Sequence, residues 1–110
     1  MNELEKVSFT IIAEVGTAKS NFLEALSAAR KGDFEKAEAL IEEWEQHRIK
    51  GHEAHFDLVQ KEASGESIPV GIILMHAEDQ LMASETIKMM VEEFIHNYKE
   101  MKELRELIKA

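Results

Sequence analysis

After Gly71 the chain runs to its end at Ala110 without another glycine or proline. Every residue in that run can donate a backbone hydrogen bond and none favours a positive φ. This predicts one continuous helix of roughly 40 residues, about 60 Å long at 1.5 Å per residue. A rod of that length constrains everything else in a chain of 110 residues. The remaining segments must be short enough to pack along it.

Two helices precede it. Leu4, Ile11, Val15, Ala18, Phe22, Leu26 and Ala29 recur at spacings of three, four and seven, the stripe of an amphipathic helix. The sequence KGDF closes that segment, with Gly32 suited to a left-handed C-terminal position and Asp33 to capping the next helix. Phe34, Ala37, Ile41 and Trp44 then begin a second stripe, continued by Arg48, Gly51, His55 and Leu58. Its second half turns polar. The turn ASGESIPVG follows, with Gly65 as a stop and Pro69 near the first position of the third helix. Short connections make consecutive helices antiparallel neighbours. The expected fold is an all-α, up-down-up three-helix bundle, a single domain over residues 1–110.

The third helix carries two apolar stripes. Ile73, Ala77, Gln80, Ser84, Ile87, Val91, Phe94 and Tyr98 form one, read as facing the subunit core. Ile72, Met75, Asp79, Met82, Thr86 and Met89 form the other. Glu78, Glu85, Lys88, Glu92, His96 and Lys99 occupy the opposite, polar side. A three-helix monomer uses one stripe, so the second predicts a homo-oligomer packed through the third helices.

Composition narrows the function. A formal net charge of −9 opposes non-specific nucleic-acid binding, which needs clustered cations. Without cysteine there is no disulfide, zinc–thiolate site or thiol nucleophile. The segment MNELEKVSFTIIAEVG carries acid where a secretory signal would carry positive charge, and no apolar run is long enough to span a bilayer. A cytoplasmic protein is expected.

The stretch ILMHAEDQLMASE holds the chemistry. His76 lies at the seam between the two stripes, and Asp79 interrupts the oligomer stripe. Copies of Asp79 converging on a symmetry axis would repel one another unless they shared a proton or a hard cation such as Mg²⁺. The plainer alternative makes His76 a satisfied core histidine and Asp79 a register-setting polar residue. A hairpin fold-back near residue 66 sets His55 level with His76 and His52 level with Asp79, with Thr10 and Glu14 at the same height. Two chemistries suit such a cluster. His52, His55, His76 and Asp79 could ligate Zn²⁺, although no HExxH or paired ExxH signature is present. Alternatively His76 could act as a nucleophile through its neutral imidazole. His47 and His96 read as solvated surface residues.

The blocks GTAKSNFLEALSAARKGDFEKAEALIEE, GHEAHFDLVQKEASGE and HAEDQLMASE, in that order, resemble the lactose/cellobiose-type (lactose/chitobiose family) IIA components of the bacterial phosphoenolpyruvate-dependent sugar phosphotransferase system. The resemblance runs from about Ser8 to Tyr98. It implies a homotrimer around the third helices, a phosphohistidine at His76, and one Mg²⁺ per trimer shared by Asp79 of three subunits. It further implies that His76 accepts a phosphoryl group from the histidine-containing phosphocarrier protein and passes it to a cysteine of the cognate IIB component. Gln80, one turn from His76, is a candidate hydrogen-bond donor to that group. The family's second block usually has glutamine three residues after its histidine, whereas here His52 is followed by His55. His55 is expected to replace that glutamine as a donor in the phosphoryl environment. Lactose, cellobiose and chitobiose systems all fit, with a β-glucoside such as cellobiose preferred. The runner-up is a non-catalytic helical interaction module, a tetratricopeptide-like or coiled-coil adaptor.

Overall fold

A computed structural model describes residues 2–110. Three helices account for almost all of them: α1 (Glu3–Arg30), α2 (Phe34–Ala63) and α3 (Ile72–Lys109). No strand occurs among the described residues, and the molecule is a rod of 65 × 23 × 20 Å. The all-α, up-down-up bundle is the expected one.

Local chemistry sets the helix ends. Asn2 and Asp33 cap α1 and α2 by accepting from Glu5 N and Lys36 N at 2.8 and 3.2 Å. Gly32 (φ 87°) and Gly65 (φ 99°) take the left-handed conformation that ends each of these helices. At both, the following amide reaches back five residues, Asp33 N to Ala28 O at 2.9 Å and Glu66 N to Lys61 O at 3.1 Å, closing a Schellman turn. The third helix starts later than expected. Pro69 lies in the connection, and extended Gly71 is the N-cap of a helix that begins at Ile72. Glycine is poor inside a helix but serves well at its boundary, so the first turn forms beyond it.

α1 is the shared partner of the other two helices. Ala18, Ala25, Ala28 and Ala29 let neighbouring backbones approach, and fully buried Trp44 from α2 fills the space beside Phe22, with ring centroids 4.8 Å apart. A second cluster joins Ile11 and Val15 of α1 to Ala77 and Leu81 of α3. The stripes expected on α1 and α2 are the ones that pack: Ile11, Val15, Ala18, Phe22 and Ala29, then Ala37, Trp44, Gly51 and Leu58, are all buried.

On α3 the core face is rotated from its expected position. Ala77, Ser84 and Val91 are buried as expected, but their companions are Leu74, Leu81 and Ile95. Ile73 and Phe94 are exposed, and Gln80 is half-buried. Both choices have the alternating spacing of three and four. Burying Leu74 and Leu81 stabilises by full aliphatic transfer, about 1.5–3 kcal/mol each, whereas the expected face would desolvate the Gln80 amide.

The polar side of α3 is likewise turned inward. Between α2 and α3 there is little close backbone packing; long side chains bridge the gap. Lys88 reaches Glu45 at 3.4 Å, Lys99 reaches Glu38 at 3.0 Å and Arg48 reaches Glu85 at 3.6 Å. Glu78, Glu85, Lys88, Glu92 and Lys99 are therefore half-buried, and of the expected polar face only His96 is exposed. The second apolar stripe remains uncovered in the single subunit, with Ile72 86%, Met75 60%, Met82 46% and Met89 61% exposed.

Candidate functional site

Three of the five histidines are held by glutamates. His47 Nδ1 and Glu14 Oε2 are 2.5 Å apart, as are His52 Nε2 and Glu85 Oε1. His55 Nδ1 is also 2.5 Å from Glu78 Oε2, but out of line for a hydrogen bond, which leaves that buried nitrogen without a hydrogen-bond partner. These contacts alter three expectations. His47 is a half-buried link between α1 and α2 rather than a solvated residue. His52 is drawn to Glu85, well over one turn past its expected level at Asp79. His55 sits near the expected height but meets Glu78.

That last pairing decides which way His55 works. Successive helical residues differ by about 100°, so Glu78 lies about 200° around α3 from His76. Glu78 faces α2, whereas His76 is exposed. Neither His52 nor His55 makes a hydrogen bond to His76 among the described residues. The pairs form a polar rail between α2 and α3 instead. Fold-back arithmetic gives height but not azimuth, and His55, His52, His76 and Asp79 are not gathered into one cluster. No group of three or more His, Asp or Glu side chains converges as a metal site within the described residues of one subunit. Zn²⁺ ligation by these four residues is thus not a property of the single subunit.

His76 stands apart from these pairs. It is exposed and engages no hydrogen bond or ion pair among the described residues. Neutral imidazole offers a nitrogen lone pair, so an unclamped, accessible ring can attack an electrophilic phosphorus. Gln80, four residues on, shares its side of the helix and is half-buried. A groove between the start of α1 and the start of α3 is lined by Leu4, Ser8, Val70, Ile72, Ile73 and Leu74, and His76 is not among its lining residues. Ile73, one turn before His76 on α3, is 41% exposed, an apolar neighbour of the imidazole by helical spacing.

Asp79 is exposed and lies along the uncovered stripe between Met75 and Met82. A carboxylate supplies the hard oxygen that Mg²⁺ prefers, yet one Asp alone cannot complete a coordination shell. The donor fits a hard cation only where copies of Asp79 meet.

Trp44 anchors the central part of the rail. Lys88 Nζ lies 4.7 Å from the centre of its ring and Arg48 Cζ lies 5.6 Å away. Hydrogen bonding from Arg48 holds the Glu45 carboxyl below its ordinary range, with the charges of Arg48 and Lys88 acting in the same direction against desolvation. The same contact raises Arg48. Sequence reasoning missed the rail because charge-complementary positions on two helices mean little until register and azimuth are known.

With this geometry in hand, the relatives are informative. The sequence matches the family described as the PTS system, Lactose/Cellobiose specific IIA subunit, over residues 6–99. It is 41% identical over 97 residues to the lactose-specific EIIA component of Staphylococcus aureus, covering 88% of this chain and 94% of that protein. The crystal structure of the cellobiose-specific enzyme IIA from Bacillus anthracis superposes with a TM-score of 0.89 at 32% identity, covering 93% of this chain and 94% of the other. The solution structure of the IIA(chitobiose)–HPr complex from Escherichia coli matches with a TM-score of 0.69 at 31% identity, over 93% of this chain and 99% of the other.

Proposed function

This chain belongs to the lactose/cellobiose-specific IIA family of the phosphotransferase system, and from that premise we propose that it is a phosphoryl carrier whose acceptor is His76. The observation that carries this reading is the exposed, unclamped imidazole of His76 in a molecule that ties three other histidines to glutamates. The donor is the histidine-containing phosphocarrier HPr, as befits a relative solved in complex with that protein. The acceptor is a cysteine of a cognate IIB component, and the setting is the cytoplasm. No helix among the described residues is long and apolar enough to cross a membrane.

In the first transfer a nitrogen of His76 attacks phosphorus as the P–N bond to the donor histidine breaks. In the second, the His76–P bond breaks as a thiolate sulfur takes the phosphoryl group. Little covalent work falls to the protein, so positioning dominates. Gln80 donates to a phosphoryl oxygen, and Ile73 seats the partner's apolar surface.

Three subunits assemble through Met75, Met82 and Met89 of α3, and three Asp79 carboxylates would hold one Mg²⁺ on the axis. When bound, that ion supplies charge neutralisation at the interface. Cellobiose or another β-linked disaccharide is the preferred sugar; recognition of it belongs to the membrane component.

The test is labelling with phosphoenolpyruvate, the phosphocarrier and its kinase. Acid-labile, base-stable label that disappears in His76→Ala supports the carrier. Equal labelling of that variant overturns it in favour of a non-catalytic interaction module.

A further inference from the structure

The last turns of α3 overhang the bundle. Lys102 Nζ lies 5.6 Å from the ring centre of Phe34, the first residue of α2, and residues 100–110 are all exposed. Beneath this overhang, against the α1–α2 turn, lies a cleft of about 280 Å³. Arg30, Lys31, Lys102, Arg105 and Lys109 line it, and Glu106 is the sole carboxylate among its lining residues. Five of the thirteen cations of a chain with net charge −9 thus share one concave surface. None of the five makes an ion pair among the described residues, whereas Lys6, Arg48, Lys88 and Lys99 all do.

We propose that this cleft binds a phosphate-bearing anion. Mutually repelling cations held together in a concavity are relieved by a counter-charge of more than one unit, which a phosphate monoester supplies and a lone carboxylate does not. Arg30 and Arg105 offer planar forks suited to phosphate oxygens. Phe34, Tyr98 and Ala29 give the cleft an apolar floor, room for the body of the ligand beside its charged group. A polynucleotide is disfavoured by the acidic remainder of the molecule. Lys102, Arg105 and Lys109 lie beyond Lys99, the last residue of the family match.

The phosphate arrives either on a free small molecule or as a lipid headgroup, since Met101, Leu104 and Ile108 are exposed on the overhang. Two arms separate the sources. Isotope-labelled full-length protein is titrated with inorganic phosphate and with glycerol 3-phosphate at low ionic strength. In parallel it is sedimented with phosphatidylcholine vesicles with and without phosphatidic acid. Saturable amide shifts at the α1–α2 turn and Lys102–Lys109 identify a free ligand; co-sedimentation requiring phosphatidic acid identifies the lipid. Either supports the site if Arg105→Glu weakens it by about tenfold or more. Arg105 is exposed, so helicity and His76 labelling should be unchanged in that variant. Absence of both signals, shifts confined to other surfaces, or unaltered affinity in Arg105→Glu overturns the proposal.

Discussion

His55 Nδ1 lies 2.5 Å from Glu78 Oε2, so this histidine is engaged across the α2–α3 gap, on the side of α3 away from His76. The pair separates two roles that height along the bundle alone would merge: support of α3 and handling of a phosphoryl group. His55→Gln should leave the rate of His76 labelling within about twofold of wild type, because no reacting group loses a contact. The melting temperature should change by no more than a few degrees, as expected for loss of one half-buried polar contact worth about 1 kcal/mol or less. A large loss of labelling with unchanged stability would instead place His55 at the transferred group.

Glu45 governs an acid-side stability change. Its carboxyl is held below the ordinary value of 4.5 by the Arg48 hydrogen bond, with Lys88 contributing charge. A depressed carboxyl stabilises the fold above its unfolded-state value, and that contribution is lost as pH falls through the folded-state value. Wild type should therefore melt higher than Glu45→Gln at neutral pH, with the gap shrinking below about pH 4.5. Solvent screening at this partly exposed pair keeps the gap small. Thermal melts across pH 3–7 (roughly the range in which carboxylates protonate) check the sign; a gap that widens on acidification would contradict it.

Gly51 of α2 receives the Leu81 side chain of α3. A Cβ built there would meet Leu81 Cδ1 at 3.3 Å, and Leu81 is fully buried. In Gly51→Ala the gain in helix propensity, about 1 kcal/mol, opposes a small displacement of Leu81, so stability should change little. Gly51→Leu has no such balance and should cost about 1–3 kcal/mol through overpacking. Urea denaturation of the two variants measures the difference.

The uncovered stripe of α3 predicts assembly state. Met82→Glu places a charge in the proposed interface and should shift the mass in sedimentation from trimer to monomer, with helical content retained. Asp79→Asn removes the repulsion and the carboxylate charge that would hold a hard cation. Its trimer should persist and become insensitive to chelation of Mg²⁺. Monomeric wild type at physiological concentration would remove the basis for a shared metal.

The sequence alone determined the helices. Glycine and proline placement set three helices and their turns, and the stripes on α1 and α2 identified their core faces, because helix formation and amphipathicity are local properties with a fixed period. It also exposed the surplus apolar stripe on α3 and singled out His76 and Asp79, since a charged group among methionines is visible without coordinates. Azimuth was decided only in three dimensions. The expected and observed core faces of α3 share Ala77, Ser84 and Val91, and only packing against α1 selects Leu74 and Leu81 over Ile73 and Gln80. The partners of His47, His52 and His55 required the relative rotation and stagger of helix pairs, which no single-helix periodicity contains. The basic cleft joins residues near 30 to residues beyond 100, and it exists because α3 outruns the helix against which it packs.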